Sequence, residues 1–95
     1  MAAYMIFIRD KTTDAAELAT YSGLAGATMG GHAVTPHVVY GPHEVLEGPA
    51  VEGVVVVSFP TMEEAKAWYT SPAYQAAREH RFKGAEYRVV LVQGL

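Results

Sequence analysis

Three segments of the chain have the apolar pattern of β-strands at both odd and even positions, residues 3–8, 54–59 and 87–92. Successive side chains of a strand point to opposite faces of the sheet. Apolarity at both parities therefore predicts a sheet that is covered on both faces.

A fourth and shorter segment, His37-Val-Val-Tyr40, follows Pro36 and fits an edge strand. Regular alternation would place His37 and Val39 on one face, with Val38 and Tyr40 on the other. The pattern leaves open the path of the surrounding residues 32–48.

A first helix is predicted from about residue 15 to residue 29. Asp14 and Glu17 have the spacing of a capping box, in which each side chain hydrogen-bonds the backbone N–H of the other residue. Tyr21 and Ala25 recur at helical spacing on one stripe, so Tyr21 is predicted to point inward.

A second helical region is predicted in two pieces. Thr61 and Glu64 form another capping box, which starts a helix at Met62. Ser71-Pro72 then caps and begins a further helix, because proline is tolerated at a first helical position. The resulting order of elements is β-α-β-β-α-β, an α+β arrangement of the ferredoxin-like type.

The predicted protomer has helices on only one face of its antiparallel sheet. A chain of 95 residues is expected to form one domain, residues 1–95, with limited ability to bury its own apolar surface. A back-to-back homodimer through the free sheet face would supply the missing cover.

The segment FPTMEEAKAWYTSPAYQ, residues 59–75, carries a family resemblance, together with Arg81 and the closing RVVLVQG at residues 88–94. It resembles a family of small bacterial proteins known as domain of unknown function 1330. The resemblance covers nearly the whole chain and implies a dimeric α/β-barrel protein with a ferredoxin-like protomer. It implies no particular reaction.

The composition of the chain argues against several kinds of partner and chemistry. The net charge is −3, and the seven Lys and Arg residues are scattered, which argues against nucleic-acid binding. The chain has no cysteine, so disulfides, thiolate nucleophiles and Cys-type zinc sites are excluded. No apolar run is long enough for a membrane span, and a cytoplasmic protein without a membrane partner is expected.

Histidines and tyrosines are the groups best able to transfer protons near neutral pH without a cofactor. We predict His80, Tyr21 and His37 as catalytic residues. His80 follows a stripe of alanines on the last helix and would face a pocket beside Tyr21. The alternative for His80 is a core histidine that is hydrogen-bonded to the backbone.

Substrate binding is predicted for Tyr40, Arg81, Trp68 and His32. Arg81 would hold a carboxylate or enolate oxygen, or else cap the end of its helix. Trp68 fits a core or interface ring equally well. The spacing of the histidines matches no short metal motif, and the chain has neither a P-loop nor a dinucleotide fingerprint, so neither a metal nor an organic cofactor is expected.

The predicted function is binding of a small aromatic or polyketide-like acid. We favour a cofactor-independent enzyme that transfers a proton, of the cyclase, isomerase, lyase or monooxygenase type. The alternative is a dimeric protein without catalytic activity that binds a ligand or has a structural role.

Overall fold

The computed structural model describes residues 1–95 as a four-stranded antiparallel sheet with three helices packed on one face. The elements are β1 (Ala3–Thr12), α1 (Ala15–Ala27), β2 (Thr35–Val39), β3 (Gly53–Phe59), α2 (Met62–Tyr69), α3 (Pro72–Gly84) and β4 (Ala85–Gln93). None of the helices has the length and apolar composition needed to cross a membrane.

The strands lie in the order β2-β3-β1-β4, so β3 and β1 form the centre of the sheet and β2 and β4 form its edges. Met5 of β1 lies opposite Val57 of β3 and Leu91 of β4. Directly paired residues share a face, so the odd-numbered positions of these three strands face the helices. The sheet of one chain stays open and does not close into a barrel.

The opposite face of the sheet, which we call the open face, has no helix over it. It carries the even-numbered residues Tyr4, Ile6, Ile8, Val54, Val56, Ser58, Arg88, Val90 and Val92. Val90 and Val92 remain 51% and 46% exposed in the single chain. The prediction of apolar residues on both faces is confirmed.

The predicted cap of α1 is half right. The Asp14 carboxylate accepts from the backbone N–H of Ala16 and of Glu17. The N–H of Asp14 itself donates to the carbonyl of Gly84 at 3.0 Å, so Glu17 does not complete a capping box. The Glu17 carboxylate bonds His80 instead.

The break between α2 and α3 is confirmed. The Thr61 hydroxyl accepts from the N–H of Glu64 at 3.1 Å, and the Ser71 hydroxyl accepts from the N–H of Tyr74 at 3.3 Å. Each helix thus begins on its own side-chain cap, and Pro72 occupies the first turn of α3.

The core lies between the sheet and the helices and is rich in rings. Trp68 of α2 and Tyr74 of α3 stack with ring centroids 4.0 Å apart, and Phe59 and Phe7 pack against the same indole. All four side chains are buried. This ring cluster fixes α2 and α3 on the sheet.

Helix α1 packs chiefly along α3. Gly84 allows the close approach, because a Cβ at that position would lie 2.6 Å from the backbone nitrogen of Leu18. The far side of α1 consequently stands away from β2 and β3, and space is left beneath it.

Strand β2 departs from regular alternation. Its register shifts between Pro36 and Val38, which leaves His37 as an extra residue. Pro36 and Val39 pair with cavity-facing residues of β3, whereas Val38 pairs with Val56 on the open face. The expectation that His37 and Val39 share a face is therefore wrong, because a bulge resets the alternation.

Candidate functional site

A cavity of about 360 Å³ lies between α1 and the β2 side of the sheet. Ten of its twelve lining residues are hydrophobic, and none is acidic or basic. The lining consists of Phe7, Tyr21, Ser22, Ala25, Met29, Pro36, Val39, Tyr40, Val55, Val57, Trp68 and Tyr87. Its size and apolar walls are those of a site for a small organic molecule.

The first polar feature beside the cavity is a pair of tyrosines, of which only Tyr21 lines the cavity. The hydroxyl of Tyr21 on α1 lies 2.8 Å from the hydroxyl of Tyr74 on α3, and both rings are buried. Burial raises the pKa of each phenol above its ordinary value, since a phenolate is costly away from water. Both side chains are therefore neutral donors at neutral pH.

A second pair of tyrosines closes the edge of the cavity. The Tyr40 and Tyr87 hydroxyls are 2.5 Å apart, and burial raises the pKa of Tyr40 as well. Tyr40 adopts a left-handed backbone with φ of 53° while its N–H donates to the carbonyl of Val54. Its ring lies on Gly53, where a Cβ would come within 2.4 Å of a ring carbon.

An ion pair supports the second tyrosine pair from outside. The guanidinium of Arg9 lies 4.7 Å from the centroid of the Tyr40 ring. Its Nε also donates to the carboxylate of Glu52 at 3.1 Å, and the Thr12 hydroxyl donates to the same carboxylate. The positive charge beside Tyr40 is thus neutralised locally.

A second arginine, Arg81, lies behind the cavity wall and is only 3% exposed. Its Cζ is 5.9, 5.8 and 5.1 Å from the ring centroids of Phe7, Tyr21 and Tyr87, all of which line the cavity. Its Nε is buried without a hydrogen-bond partner. Arg81 thus places a positive charge directly behind three cavity rings.

Trp68 forms part of the cavity wall while also belonging to the core. Its Nε1 donates to the hydroxyl of Thr28 at 3.1 Å, so the polar edge of the indole is already satisfied. Only its apolar surface is free to contact a ligand.

The structure brings four of the predicted site residues together. Tyr21, Tyr40 and Trp68 line the cavity, and Arg81 lies behind it. The catalytic and binding roles given to them remain predictions.

His80 lies outside the cavity, contrary to its expected position beside Tyr21. Its Nδ1 is 2.6 Å from the Glu17 carboxylate, on a partly exposed seam between α1 and α3. The inward stripe of α3 consists of Tyr74, Ala77 and Arg81, and His80 is adjacent to that stripe.

The other two predicted histidines also lie elsewhere. The His37 Nε2 lies 2.7 Å from the Ser58 hydroxyl, and the His37 ring packs beside Tyr4 on the open face. His32 lines a separate shallow groove with Pro60. No three acidic or histidine side chains converge in a geometry suited to a metal ion.

Sequence reasoning missed Tyr74 and Tyr87 as hydroxyl partners, and it missed Arg9. The ring of Tyr74 belongs to the core, and its hydroxyl bonds that of Tyr21. Tyr87 is the third residue of β4, and its odd parity matches that of Val89 and Leu91. Because the strands are apolar at both parities, no signal in the sequence alone places Tyr87 on the helix side.

The fold and this site define a ferredoxin-like α+β protein with a largely apolar cavity between its sheet and first helix. The chain belongs to the family described as Domain of unknown function (DUF1330), whose profile matches residues 2–95. This confirms the resemblance seen in the sequence. Among curated proteins, none is significantly similar.

Several solved structures share the fold. RPA0582 from Rhodopseudomonas palustris, a protein of unknown function, is 18% identical with a TM-score of 0.75, covering 99% of this chain and 82% of that chain. A dimeric protein of unknown function and ferredoxin-like fold from Bacteroides fragilis is 14% identical with a TM-score of 0.67, covering 98% and 96%. SnoaB, a cofactor-independent oxygenase from Streptomyces nogalater, is 8% identical with a TM-score of 0.63, covering 99% and 93%. The predicted ferredoxin-like α+β fold is confirmed.

Proposed function

We propose that the protein binds a small aromatic or polyketide-like molecule in the cavity beneath α1 and promotes proton loss from it without a cofactor. The observation that carries this proposal is a pair of tyrosine hydroxyl contacts at a largely apolar cavity: the cavity-lining Tyr21 with the buried Tyr74, and Tyr40 with Tyr87, which both line the cavity. Flat apolar rings fit such walls, and the hydroxyls fit an oxygen atom of the ligand.

The tyrosines act as hydrogen-bond donors in this proposal. When a carbon next to a carbonyl group loses its proton, negative charge develops on the carbonyl oxygen, and donors placed around that oxygen stabilise the enolate. Tyr21 and Tyr40 have raised pKa values and keep their protons at neutral pH. No basic or acidic side chain lines the cavity, so water accepts the proton.

Enolate formation of this kind is a step shared by cofactor-independent cyclases, isomerases, lyases and monooxygenases. The likeness in fold to the cofactor-independent oxygenase from Streptomyces nogalater supports this class of chemistry only as an analogy, because fold alone does not determine function.

We further propose that two copies associate through the open face. The branched side chains of Ile6, Val56 and Val90 form a continuous apolar surface across three adjacent strands. A surface of that kind marks an interaction site. The dimeric state of the ferredoxin-like protein from Bacteroides fragilis supports the same arrangement.

The test of catalysis uses anthrone, an aromatic ketone with an acidic methylene group. Exchange of its methylene hydrogens with heavy water is followed by NMR with and without protein. We expect faster exchange with the parent protein and at least about a tenfold loss of that acceleration in Tyr21→Phe and Tyr40→Phe, since each lacks one oxyanion donor. Tyr4→Phe, which removes a hydroxyl on the open face, is the matched control.

Binding and catalysis separate in this experiment. A thermal shift with anthrone or naphthoate that is not accompanied by faster exchange would favour the alternative, a binding protein without catalytic activity. The absence of a base among the cavity-lining residues is the observation that keeps this second function open. If neither compound shifts the melting temperature, the proposed ligand class is wrong.

A further inference from the structure

Arg81 is the only charged residue among the buried residues of the chain. The ion pairs of the structure join Arg9 with Glu52, Arg88 with Asp10, and His80 with Glu17, and none includes Arg81. No aspartate or glutamate is buried. A buried cation without a carboxylate is unusual because the loss of hydration is costly.

The surroundings of Arg81 stabilise its charge without neutralising it. Four aromatic rings lie within 5.9 Å of its Cζ, and cation–π contacts of this kind are attractive. Arg81 also lies in the last turn of α3, where the helix dipole favours a cation. None of these groups carries a full negative charge.

The field of this charge reaches the cavity. Phe7, Tyr21 and Tyr87 separate the guanidinium from the cavity by one layer of rings. Charges act over longer distances in the interior than in water because the effective dielectric constant is lower. The positive charge of Arg81 acts on the Tyr21 phenol in the sense that favours an anion, although burial dominates and raises the pKa of that phenol.

We infer that the cavity selects anionic ligands, such as an aromatic carboxylate, phenolate or enolate, and that Arg81 determines this preference. The inference rests on the proposed function of the cavity and specifies the charge of its ligand. Arg81 acts here through the wall as a specificity-determining residue and is not a catalytic group.

Arg78 provides a matched control on the same helix. Its Nε is likewise buried without a hydrogen-bond partner, and its Cζ lies 4.8 and 5.3 Å from the ring centroids of Tyr69 and Phe82. Neither of those rings lines the cavity. Replacing Arg78 thus removes one positive charge and the same kind of ring contact without changing the charge behind the cavity wall.

The experiment compares naphthoate with naphthamide, which have the same ring system and differ in charge. Their dissociation constants are measured by calorimetry for the parent protein, Arg81→Met, Arg81→Lys and Arg78→Met. We expect the parent and Arg78→Met to bind naphthoate at least about tenfold more tightly than naphthamide, the scale of one charge-assisted interaction. We expect Arg81→Met to bind both within about threefold, with naphthamide affinity little changed, and Arg81→Lys to keep most of the preference.

The outcomes distinguish a failure of this inference from a failure of the proposed function of the cavity. Equal affinity of the parent protein for the two compounds overturns the inference and leaves the cavity as a binding site. The inference also fails if Arg81→Met keeps the full preference, or if Arg78→Met loses it. If neither compound binds the parent protein, the proposed function fails together with the inference. If Arg81→Met does not fold, the neutral variant Arg81→Gln takes its place with the same expected loss of preference, and a full preference in that variant overturns the inference.

Discussion

The two faces of the sheet are both apolar, but they are built from different side chains. The face under the helices carries rings and long side chains, such as Phe7 and Met5, and tyrosine hydroxyls reach into it. The open face carries mainly β-branched residues, such as Ile6, Val56 and Val90.

This difference separates two tasks within one small sheet. Large rings leave gaps between them when a helix stands off, and hydroxyl groups in such a gap provide specific contacts for a ligand. Short branched side chains form a flatter surface, which suits packing against a second sheet at about 10 Å. Total hydrophobicity alone would not distinguish the two faces.

A charge on the open face should have the largest effect. Val56→Asp places a carboxylate at the centre of the proposed interface, where an unpaired buried charge costs roughly 3–5 kcal/mol. We expect monomers in sedimentation velocity experiments at concentrations where the parent is dimeric. Val56→Thr, which has a similar shape and no charge, should remain largely dimeric. A monomeric parent, or a dimeric Val56→Asp variant, would contradict the proposed interface.

The next effect concerns the helix that forms the roof of the cavity. Gly84→Ala forces a Cβ against the backbone of Leu18 and should lower the free energy of unfolding by about 1–3 kcal/mol. Gly23→Ala is the control within α1, because a Cβ there meets nothing within 4 Å and should add about 0.5–1 kcal/mol. Urea denaturation measures both. A Gly84→Ala variant at least as stable as the parent would show that the α1–α3 contact is not as tight as described.

Removing one hydroxyl from the helix-covered side of the sheet should lower the free energy of unfolding by as much as Gly84→Ala does, or by less. Tyr21→Phe leaves the buried Tyr74 hydroxyl without its partner and should cost about 1–2 kcal/mol in urea denaturation. The double variant Tyr21→Phe, Tyr74→Phe should recover part of this loss, because no unpaired hydroxyl remains. Additive losses in the double variant would argue against the hydrogen bond.

The pH dependence of stability should reflect the buried phenols. Burial on folding raises the pKa values of Tyr21, Tyr40 and Tyr74. Their contribution is fully present below the ordinary tyrosine pKa of about 10 and is lost as pH rises above it, since the unfolded chain then releases protons that the folded chain retains. Ultraviolet titration should show fewer tyrosinates in the native protein than in urea. Equal titration curves would contradict the burial of these hydroxyls.

The smallest effect is expected at the seam between α1 and α3. Glu17→Gln removes the carboxylate that bonds His80, but the pair is partly exposed and should contribute less than about 1 kcal/mol. Naphthoate affinity should stay unchanged, because the pair lies outside the cavity. A large loss of affinity in this variant would restore His80 as a site residue.

Much of the fold could be predicted because residues close in sequence determine where each helix begins. Asp14, Thr61 and Ser71 each cap a helix where the sequence places one. The sequence could not say which strand parity faces the helices, because both parities are apolar. That choice depends on the pairing of all the strands, and it places Val55 on the cavity side and Val56 on the open face.

The site could be predicted only in part, and the alanines of α3 show why. Alanine fits buried and exposed positions equally well, so Ala73 and Ala76 gave no reliable direction and both are exposed. The inward stripe is set by Tyr74 and Arg81 instead. The assumed stripe was rotated by about 100°, one residue along the helix, and it therefore included His80.

The bulge in β2 shows where a related sequence can be one residue shorter without loss of the fold. His37 is an extra residue between Pro36 and Val38, and the residues on either side of it keep the faces that regular pairing would give them. Deleting His37 would convert the bulge into a regular ladder, with Pro36 and Val39 still lining the cavity. A sequence one residue shorter at this point thus encodes the same cavity, so alignments across the family should allow a gap here without shifting the strand.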